Sequence, residues 1–292
     1  MNNLIQNYEI ILDTLQKKCS HIECFYQIRK PKLSNLELIA LNLTAEYMSI
    51  NTELQLFRCL KNSPLEHKIE RTVYNRRKRR LFPFLELIRS SLSESLSALS
   101  TTFIVDSTPL EICKYSRANR SAICSTVDIK PSYGYCAATK TRYFGYKLHA
   151  VCDENGVIHC FDFTPANIHD IHYLKDSKHN LKNCTLIGDK GYLSIDYQLD
   201  LFTSSNINLS VPMRKNQSNF QPYCPVKRKK RKRIETIFSQ LDAQFTMVAN
   251  YAKTFSGFKI RILSKITAFT MIQNLNYFVF NRELNKIKVN LS

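Results

Sequence analysis

An apolar run that ends in a single carboxylate is the feature that most constrains this chain. Residues 101–105 (TTFIV) favour a buried β-strand, and Asp106 follows them directly. The next residues, 107–109 (STP), are expected to break the strand. A charged carboxylate is costly to remove from water unless it is paired or bound to a metal. The pattern therefore predicts a cationic partner for Asp106.

Two further acids complete a candidate site. Asp189 follows the strand-favouring run 184–187, and Gly191 permits a sharp turn just after it. Glu235 is predicted to open an amphipathic helix over 233–241. Two strand-end aspartates and one helical glutamate predict a divalent-metal site. Each acid also has a structural alternative: a turn cap through Thr108 for Asp106, a turn residue for Asp189, and a solvated first-turn acid for Glu235.

The charge balance indicates a polyanionic partner. The 292 residues include 42 Lys and Arg against 24 Asp and Glu, a net charge of +18, which favours nucleic acid over the alternative of a merely soluble basic protein. With 44% hydrophobic residues, the chain is expected to fold without a partner. No phosphate-cradling glycine loop is present, which argues against nucleotide-driven chemistry.

The compartment is predicted from the cysteines and the N-terminus. Ten cysteines occur without any Cys-x-x-Cys pair, as is typical of reduced thiols in the cytosol. The first residues lack the charged and apolar blocks of a signal peptide, and no apolar run approaches a membrane span. A cytoplasmic protein with no membrane partner is expected.

Residues 1–100 are predicted to form an all-α, helix-turn-helix-like DNA-binding region. Apolar residues recur at helical spacing over 3–28, and Ser34 with Glu37 predicts a capping box for a second helix. Further helices are expected over 52–60, 69–81 and from 82 to a serine-rich linker near 100. The boundary to a second domain, 101–292, is placed there.

The helix predicted over 69–81 carries most of the expected DNA contacts. One edge is expected to be apolar, through Ile69 and Val73. Arginine and asparagine suit the base edges of the major groove, and other cations suit phosphates. A solvated basic helix is the alternative. The predicted DNA-binding residues are Arg71, Asn75, Arg76, Arg77, Lys78, Arg79 and Arg80.

Residues 101–292 are predicted to form an α/β domain. Two strands, 143–152 and 157–163, are joined by an Asn-Gly hairpin turn at 153–156. A helix over 167–174, the Asp189 strand, a helix over 195–203, a strand over 207–211 and the Glu235 helix follow. This order is that of the ribonuclease-H-like fold, a mixed sheet flanked by helices. The basic section between Asp106 and Tyr143 has no assigned structure.

Six motifs in this order resemble the DDE transposases of bacterial insertion sequences, most closely the insertion-sequence nine-eight-two family. The resemblance spans nearly the whole chain. The motifs are 103–110 (FIVDSTPL), 145–150 (GYKLHA), 164–170 (TPANIHD), 188–192 (GDKGY), 232–241 (KRIETIFSQL) and 250–266 (NYAKTFSGFKIRILSKI).

The resemblance implies that Asp106, Asp189 and Glu235 are a catalytic triad, with Asp162 and Asp170 as competitors for the second position. Related transposases often place a Tyr, an Arg and a Lys around the Glu. Here Arg228 stands at the Tyr position, Arg231 matches the Arg, and Asp242 stands at the Lys position.

Three carboxylates suit two Mg²⁺ or Mn²⁺ ions, about 3.5–4 Å apart in two-metal sites. The implied function is binding of element ends, cleavage of DNA and joining of 3′ ends to target DNA. The implied partner is double-stranded DNA, bound by a homodimer or higher oligomer at the bacterial nucleoid. Two rival functions are a catalytically inactive DNA-binding regulator and a nuclease of similar fold that cuts without joining.

A basic run, 227–233 (KRKKRKR), leads into the Glu235 helix. On a helix, Arg228, Arg231 and Lys232 share a face with Glu235, where they are predicted to hold DNA phosphates beside the cut. The alternative is a flexible basic loop that adds non-specific affinity only.

Overall fold

The computed structural model describes residues 2–23, 29–125, 129–217, 220–248, 250–288 and 291. The chain forms two compact units. The first combines Met1–Leu96 with Gln240–Ser292, and the second is Ser97–Ser239.

The helices are α1 (Asn2–Cys19), α2 (Asn35–Tyr47), α3 (Glu53–Cys59), α4 (Arg71–Arg80), α5 (Phe82–Ser97), α6 (Leu174–Asn180), α7 (Ile195–Ser205), α8 (Pro225–Phe245) and α9 (Phe255–Phe278). The strands are β1 (Thr102–Cys113), β2 (Ser132–Cys136), β3 (Thr141–Asp153), β4 (Ile158–Pro165), β5 (Cys184–Ile187) and β6 (Ile207–Ser210). Three short 3-10 turns, Tyr115–Arg120, Asp170–Tyr173 and Lys190–Tyr192, lie between them.

The first unit is built around α9, which packs against α2 and α4. Its side chains are buried around almost the whole helix, so α9 needs partners on several sides. Polar contacts join it to α2: Asn42 donates to Ser264 Oγ over 2.7 Å, and Lys265 pairs with Glu46 over 2.7 Å. The predicted domain limits, 1–100 and 101–292, therefore differ from the observed units. The C-terminal segment packs with the N-terminal helices.

Local signals in the first unit agree with the observed helices. The Ser34 hydroxyl accepts from the Glu37 N–H and the Glu37 carboxylate accepts from the Ser34 N–H, which confirms the predicted capping box. The predicted first helix, 3–28, ends at Cys19 instead. The remainder of that prediction includes 24–28, which lie outside the described residues.

The second unit contains a six-stranded mixed sheet in the order β2-β3-β1-β5-β6, with β4 also paired to β3. Strand β1 is antiparallel to β3 and parallel to β5. The predicted hairpin is confirmed: β3 and β4 pair, and the turn is closed by the Val157 N–H donating to Asp153 Oδ1. The mixed sheet with its flanking helices is consistent with a ribonuclease-H-like fold.

Three predicted element limits are wrong. Strand β1 does not break at 107–109, because β3 pairs with it from Phe103 to Cys113. The helix expected over 167–174 is a 3-10 turn at Asp170–Tyr173 that continues into α6. Helix α8 begins at Pro225, eight residues before the predicted start, so Glu235 lies within the helix and not in its first turn.

One face of the sheet is covered by an apolar cluster. Phe103 and Val105 of β1 lie in it with Leu186 of β5, Leu174 of α6 and Leu201 of α7. Because side chains alternate along a strand, Asp106 lies on the opposite face of β1 from these two residues. Among the described residues, no helix combines the length and apolarity needed to cross a lipid bilayer.

We predict that Glu46→Ala destabilises the protein by about 3–5 kcal/mol, because it leaves the buried Lys265 ammonium without its carboxylate partner. Chemical denaturation of the full chain measures this. The matched control is Asp13→Ala, which breaks an exposed pair with Lys17 and is expected to cost about 1 kcal/mol or less. Equal effects of the two substitutions would contradict the role given to the buried pair.

Candidate active site

Asp106, which lies within β1, and Asp189, which follows β5, are at the same edge of the parallel β1–β5 pair. Ile104 of β1 is paired in parallel with Ile187 of β5, so Asp106 and Asp189 each come two residues after a paired position. Adjacent strands are about 4.8 Å apart. The parallel register thus brings the two aspartates to neighbouring positions.

The turn after β5 fixes the Asp189 side chain. Its Oδ1 accepts a hydrogen bond from the Gly191 N–H over 2.7 Å. A Cβ atom at residue 191 would lie 2.9 Å from that same oxygen, closer than real side chains approach. A side chain at residue 191 would therefore displace the Asp189 carboxylate, one oxygen of which is held by the backbone.

Arg231 connects Asp106 with Glu235. Its Nη1 lies 3.4 Å from Asp106 Oδ2, and its Nη2 lies 2.6 Å from Glu235 Oε1, one helical turn further along α8. Ile234 and Ile237 are the buried residues beside Glu235, whereas Glu235 itself is exposed. One guanidinium thus neutralises part of the charge on two of the three predicted acids.

The environment of Asp106 disfavours its ionised form. Burial raises the pKa of Asp106 to about 7. The Ser107 N–H, which donates to Oδ1 over 2.8 Å, lowers this pKa, as does Arg231, while the charges of Asp189 and Glu235 raise it. The three acids are therefore close enough to influence one another electrostatically.

The donor chemistry fits a hard divalent cation, because carboxylate oxygens are the ligands that Mg²⁺ and Mn²⁺ prefer. The side chains are not gathered into a ligand set: in the part of the chain that the structure describes, no three His, Cys, Asp or Glu residues are arranged to hold a metal ion. Arg231 supplies the positive charge between Asp106 and Glu235 instead.

The other predicted residues of α8 are exposed. Arg228 and Lys232 face solvent, and the basic run is helical rather than a loop. Lys230 pairs with Glu154 over 2.5 Å. Asp242, which stands at the Lys position of related transposases, has its Oδ1 3.3 Å from the Val248 N–H, a backbone contact at the C-terminal end of the helix.

The basic helix α4 requires a correction. Arg77 and Lys78 are buried, not exposed to DNA. Arg77 donates to the Leu33 carbonyl over 2.8 Å, and Lys78 lies 3.6 Å from Glu53. Burial lowers the pKa of Lys78. The expected apolar edge through Ile69 and Val73 is also wrong, because the buried face of α4 is formed by Tyr74, Arg77 and Lys78.

The remaining predicted residues of α4 differ in exposure. Asn75 is half-buried and donates to Glu53 over 2.5 Å, which occupies its amide. Four arginines of this helix are exposed: Arg71, Arg76, Arg79 and Arg80.

The contacts of two polar side chains of β3, the half-buried Lys147 and the buried His149, were not predicted. Lys147 of β3 pairs with Asp170 over 2.8 Å, which engages that competitor of Asp189. His149 is buried with Nε2 2.8 Å from Thr164 Oγ1, and burial lowers the pKa of this histidine to about 4. The sequence signal for both was alternation along β3, where Lys147 and His149 share one face.

Comparison with known families decides which class of protein has this arrangement. The family model described as "Transposase DDE domain" matches residues 97–271. The chain belongs to the DDE transposase family. Comparison with curated proteins gives no match.

Solved structures with some likeness are also transposases. A Mos1 transposase paired-end complex with left transposon end is 12% identical, with a TM-score of 0.22, over 86% of this chain and 82% of that chain. A Mos1 mariner paired-end complex with Mn is 12% identical, with a TM-score of 0.22, over 91% and 87%. At these scores the likeness does not bear on the geometry of the site.

We predict that Asp106→Asn stabilises this DDE-family protein at pH 8 in the presence of a metal chelator. The wild-type carboxyl has a pKa of about 7 when folded and its ordinary lower value when unfolded, so ionisation opposes folding. Below about pH 4 the carboxyl is neutral in both states, and no such gain is expected. The gain grows up to about pH 7 and then stays constant, at no more than about 4 kcal/mol.

Urea unfolding of both proteins between pH 4 and 8 measures the difference. The control is Asp176→Asn, which replaces an exposed carboxylate of the same unit. A stability difference between Asp106→Asn and the wild type that does not change with pH would contradict the raised pKa of this buried carboxyl.

Proposed function

We propose that this chain is a transposase of the insertion-sequence nine-eight-two family. It binds the ends of its element, cuts phosphodiester bonds and joins the 3′ ends to target DNA. The observation that carries the proposal is the parallel register of β1 and β5, which brings Asp106 and Asp189 to one edge of the sheet in a chain of the DDE transposase family. Action as a homodimer or higher oligomer on DNA is part of this proposal.

Asp106, Asp189 and Glu235 are the proposed ligands of two Mg²⁺ or Mn²⁺ ions. When bound, such ions activate the attacking oxygen and stabilise the leaving oxygen. Backbone N–H groups donate to Oδ1 of Asp106 and to Oδ1 of Asp189, which leaves the Oδ2 atom of each carboxylate for the proposed cation. These two oxygens would hold the cation, Asp106 Oδ2 in place of its present contact with Arg231.

Arg231 has two proposed roles. In the metal-free protein its guanidinium keeps Asp106 and Glu235 from repelling each other. Bound cations would supply this positive charge, and Arg231 could then bind a DNA phosphate with the same planar pair of donors. Arg228 and Lys232 on the same helix are proposed to contact the DNA backbone.

The exposed arginines of α4 are proposed to bind the element ends in a helix-turn-helix-like manner, with Arg71, Arg76, Arg79 and Arg80 as the contacts. The proposed DNA-binding part is not a separable N-terminal fragment. Asn42 and Glu46 of α2 have buried polar partners on α9, which a chain ending near residue 100 would lack. Tests of DNA binding therefore use the full chain.

We predict that Glu235→Gln and Asp106→Asn each abolish Mg²⁺-dependent cutting of duplex DNA that carries both flanks of the coding region. An amide keeps the shape of the side chain but loses the charge that holds a cation. Asp242→Asn, on the same helix, is expected to keep most of the activity. Loss of cutting with Asp242→Asn and retention with Glu235→Gln would show that the third ligand is wrongly assigned.

The same assay separates the rival functions. Joining of a cut 3′ end to a second DNA supports a transposase, and cutting without joining would indicate a nuclease. Binding of the flanking DNA by the wild-type protein with no cutting in Mg²⁺ or Mn²⁺ would indicate an inactive regulator.

We also predict that replacing Arg71, Arg76 and Arg79 with Ala weakens binding to the flanking DNA. The log–log slope of affinity against salt is expected to flatten by about 0.9 for each phosphate contact that is lost. A control variant replaces three other exposed cations of the same unit, Lys17, Lys61 and Lys286. If both variants match the wild type in affinity and slope, α4 does not contact DNA.

A further inference from the structure

Three exposed tyrosines form a cluster in the segment that the sequence left unassigned. Tyr115 lies on a 3-10 turn, and Tyr133 and Tyr135 lie on β2. Their exposed fractions are 43%, 46% and 58%, unusual for side chains whose rings contribute most to stability when buried. We call these three residues the tyrosine platform.

The platform is held in place by the surrounding sheet. The Tyr115 and Tyr133 rings meet edge to face with centroids 5.6 Å apart, and Tyr133 also packs on Phe144 at 4.9 Å. The Tyr133 hydroxyl donates to Asn119. Tyr135 pairs in register with an arginine, Arg142. The exposed rings thus have fixed positions.

A shallow depression of about 360 Å³ lies at the platform, lined by all three tyrosines and Arg142. Gly134 lets β2 lie close to Ala166 at the base of this depression, because a Cβ atom at residue 134 would be only 2.7 Å from Ala166 Cβ. The surface is therefore concave as well as aromatic.

The charge around the platform is strongly positive. Between residues 111 and 142 the sequence has six basic residues and two acidic residues. Arg117 and Arg120 are exposed on the same 3-10 turn as Tyr115, where they line a second depression of about 500 Å³ with Ser116 and Ser121. Cations beside exposed ring faces are the pattern with which proteins bind the phosphates and bases of a single nucleic-acid strand.

The platform lies on the same sheet face as Asp106. Tyr133 pairs with Phe144, and Asp106 pairs with Ala150. Phe144 and Ala150 are six residues apart on β3, so their side chains point to one face. Ala150 and Phe144 are about 20 Å apart along β3 at about 3.4 Å per residue, and β1 and β2 lie on opposite sides of β3, about 10 Å from each other, so Asp106 and Tyr133 are about 22 Å apart.

We propose that the tyrosine platform binds unpaired bases of single-stranded DNA. Two tyrosines at alternate positions of one strand present neighbouring rings, and successive bases can stack on them. Paired bases inside a duplex have no free faces for such stacking. If the proposed cleavage at Asp106 holds, a DNA strand rising about 3.4 Å per nucleotide would reach from the cut to the platform with about seven nucleotides.

A single tryptophan placed on the platform can report base stacking through its fluorescence. The chain has no tryptophan, so Tyr135→Trp places a single indole on the platform. Stacking of a base on this indole is expected to quench its emission when oligo(dT) is added to the metal-free protein. An oligonucleotide of the same length with abasic sites binds the cations but offers no bases, and is expected to leave most of the emission.

The matched control is Tyr251→Trp, which places the single indole at another exposed tyrosine, in the first unit. Its emission is expected to change little with either oligonucleotide. Equal quenching of Tyr135→Trp by the two oligonucleotides, or none when oligo(dT) is shown to bind, would overturn the proposal. Failure of oligo(dT) to bind at all would also overturn it.

The affinity of further variants for oligo(dT) and for the abasic strand provides a second test. Replacing Tyr115, Tyr133 and Tyr135 with Ala is expected to lower affinity for oligo(dT) by at least tenfold and to remove the preference over the abasic strand. Replacement with Phe keeps the rings and is expected to preserve that preference. Binding is measured without metal, so loss of this preference and loss of Mg²⁺-dependent duplex cutting are separate results. Tighter binding of oligo(rU) than of oligo(dT) would count against DNA as the ligand.

Discussion

The pairing of β1 on both of its sides determines where the chemistry of this protein lies. On one side, parallel pairing with β5 brings Asp106 and Asp189 to the same edge of the sheet. On the other, antiparallel pairing with β3 continues well past Asp106 to Cys113 and supports β2 with its tyrosines. A slip of one residue in either register would turn Asp106 into the apolar cluster on the opposite face. The acids and the tyrosine platform therefore depend on one strand.

Charge in the second unit is balanced locally around that strand. Asp106 is buried enough for its pKa to rise to about 7, and Arg231 offsets part of the remaining charge. The Arg231 guanidinium pairs with two carboxylates at once. It can move away from Glu235 because Glu235 is exposed to solvent. This explains how three acids can be near one another in a metal-free protein without being gathered into a ligand set.

Local sequence signals predicted the parts of the fold that depend on neighbouring residues. The Asn-Gly turn between β3 and β4, the Ser34 capping box and the strand before each aspartate follow from short-range chemistry, and the structure has all of them. The burial of Arg77 and Lys78 was not predictable in this way. Their partners, Leu33 and Glu53, are distant in sequence, and a run of cations is typical of an exposed surface.

Long-range packing also explains the other differences. Helical periodicity cannot identify α2 and α4 as the partners of α9, because these helices are distant in sequence. The segment before β3 has no regular period, so the shared exposure of Tyr133 and Tyr135 appears only once β2 is paired with β3. In the candidate site, the two aspartates were predictable from strand order, whereas the position of Arg231 between two acids required the packing of α8.

Iron cleavage of the protein can locate the bound metal. Fe²⁺ bound in place of Mg²⁺ generates hydroxyl radicals that cut the backbone near the ligands. We expect cuts near Asp106, Asp189 and Glu235 that excess Mg²⁺ suppresses and that Asp106→Asn removes. Cuts confined to other segments, or an unchanged pattern in Asp106→Asn, would contradict a metal site built on these three acids.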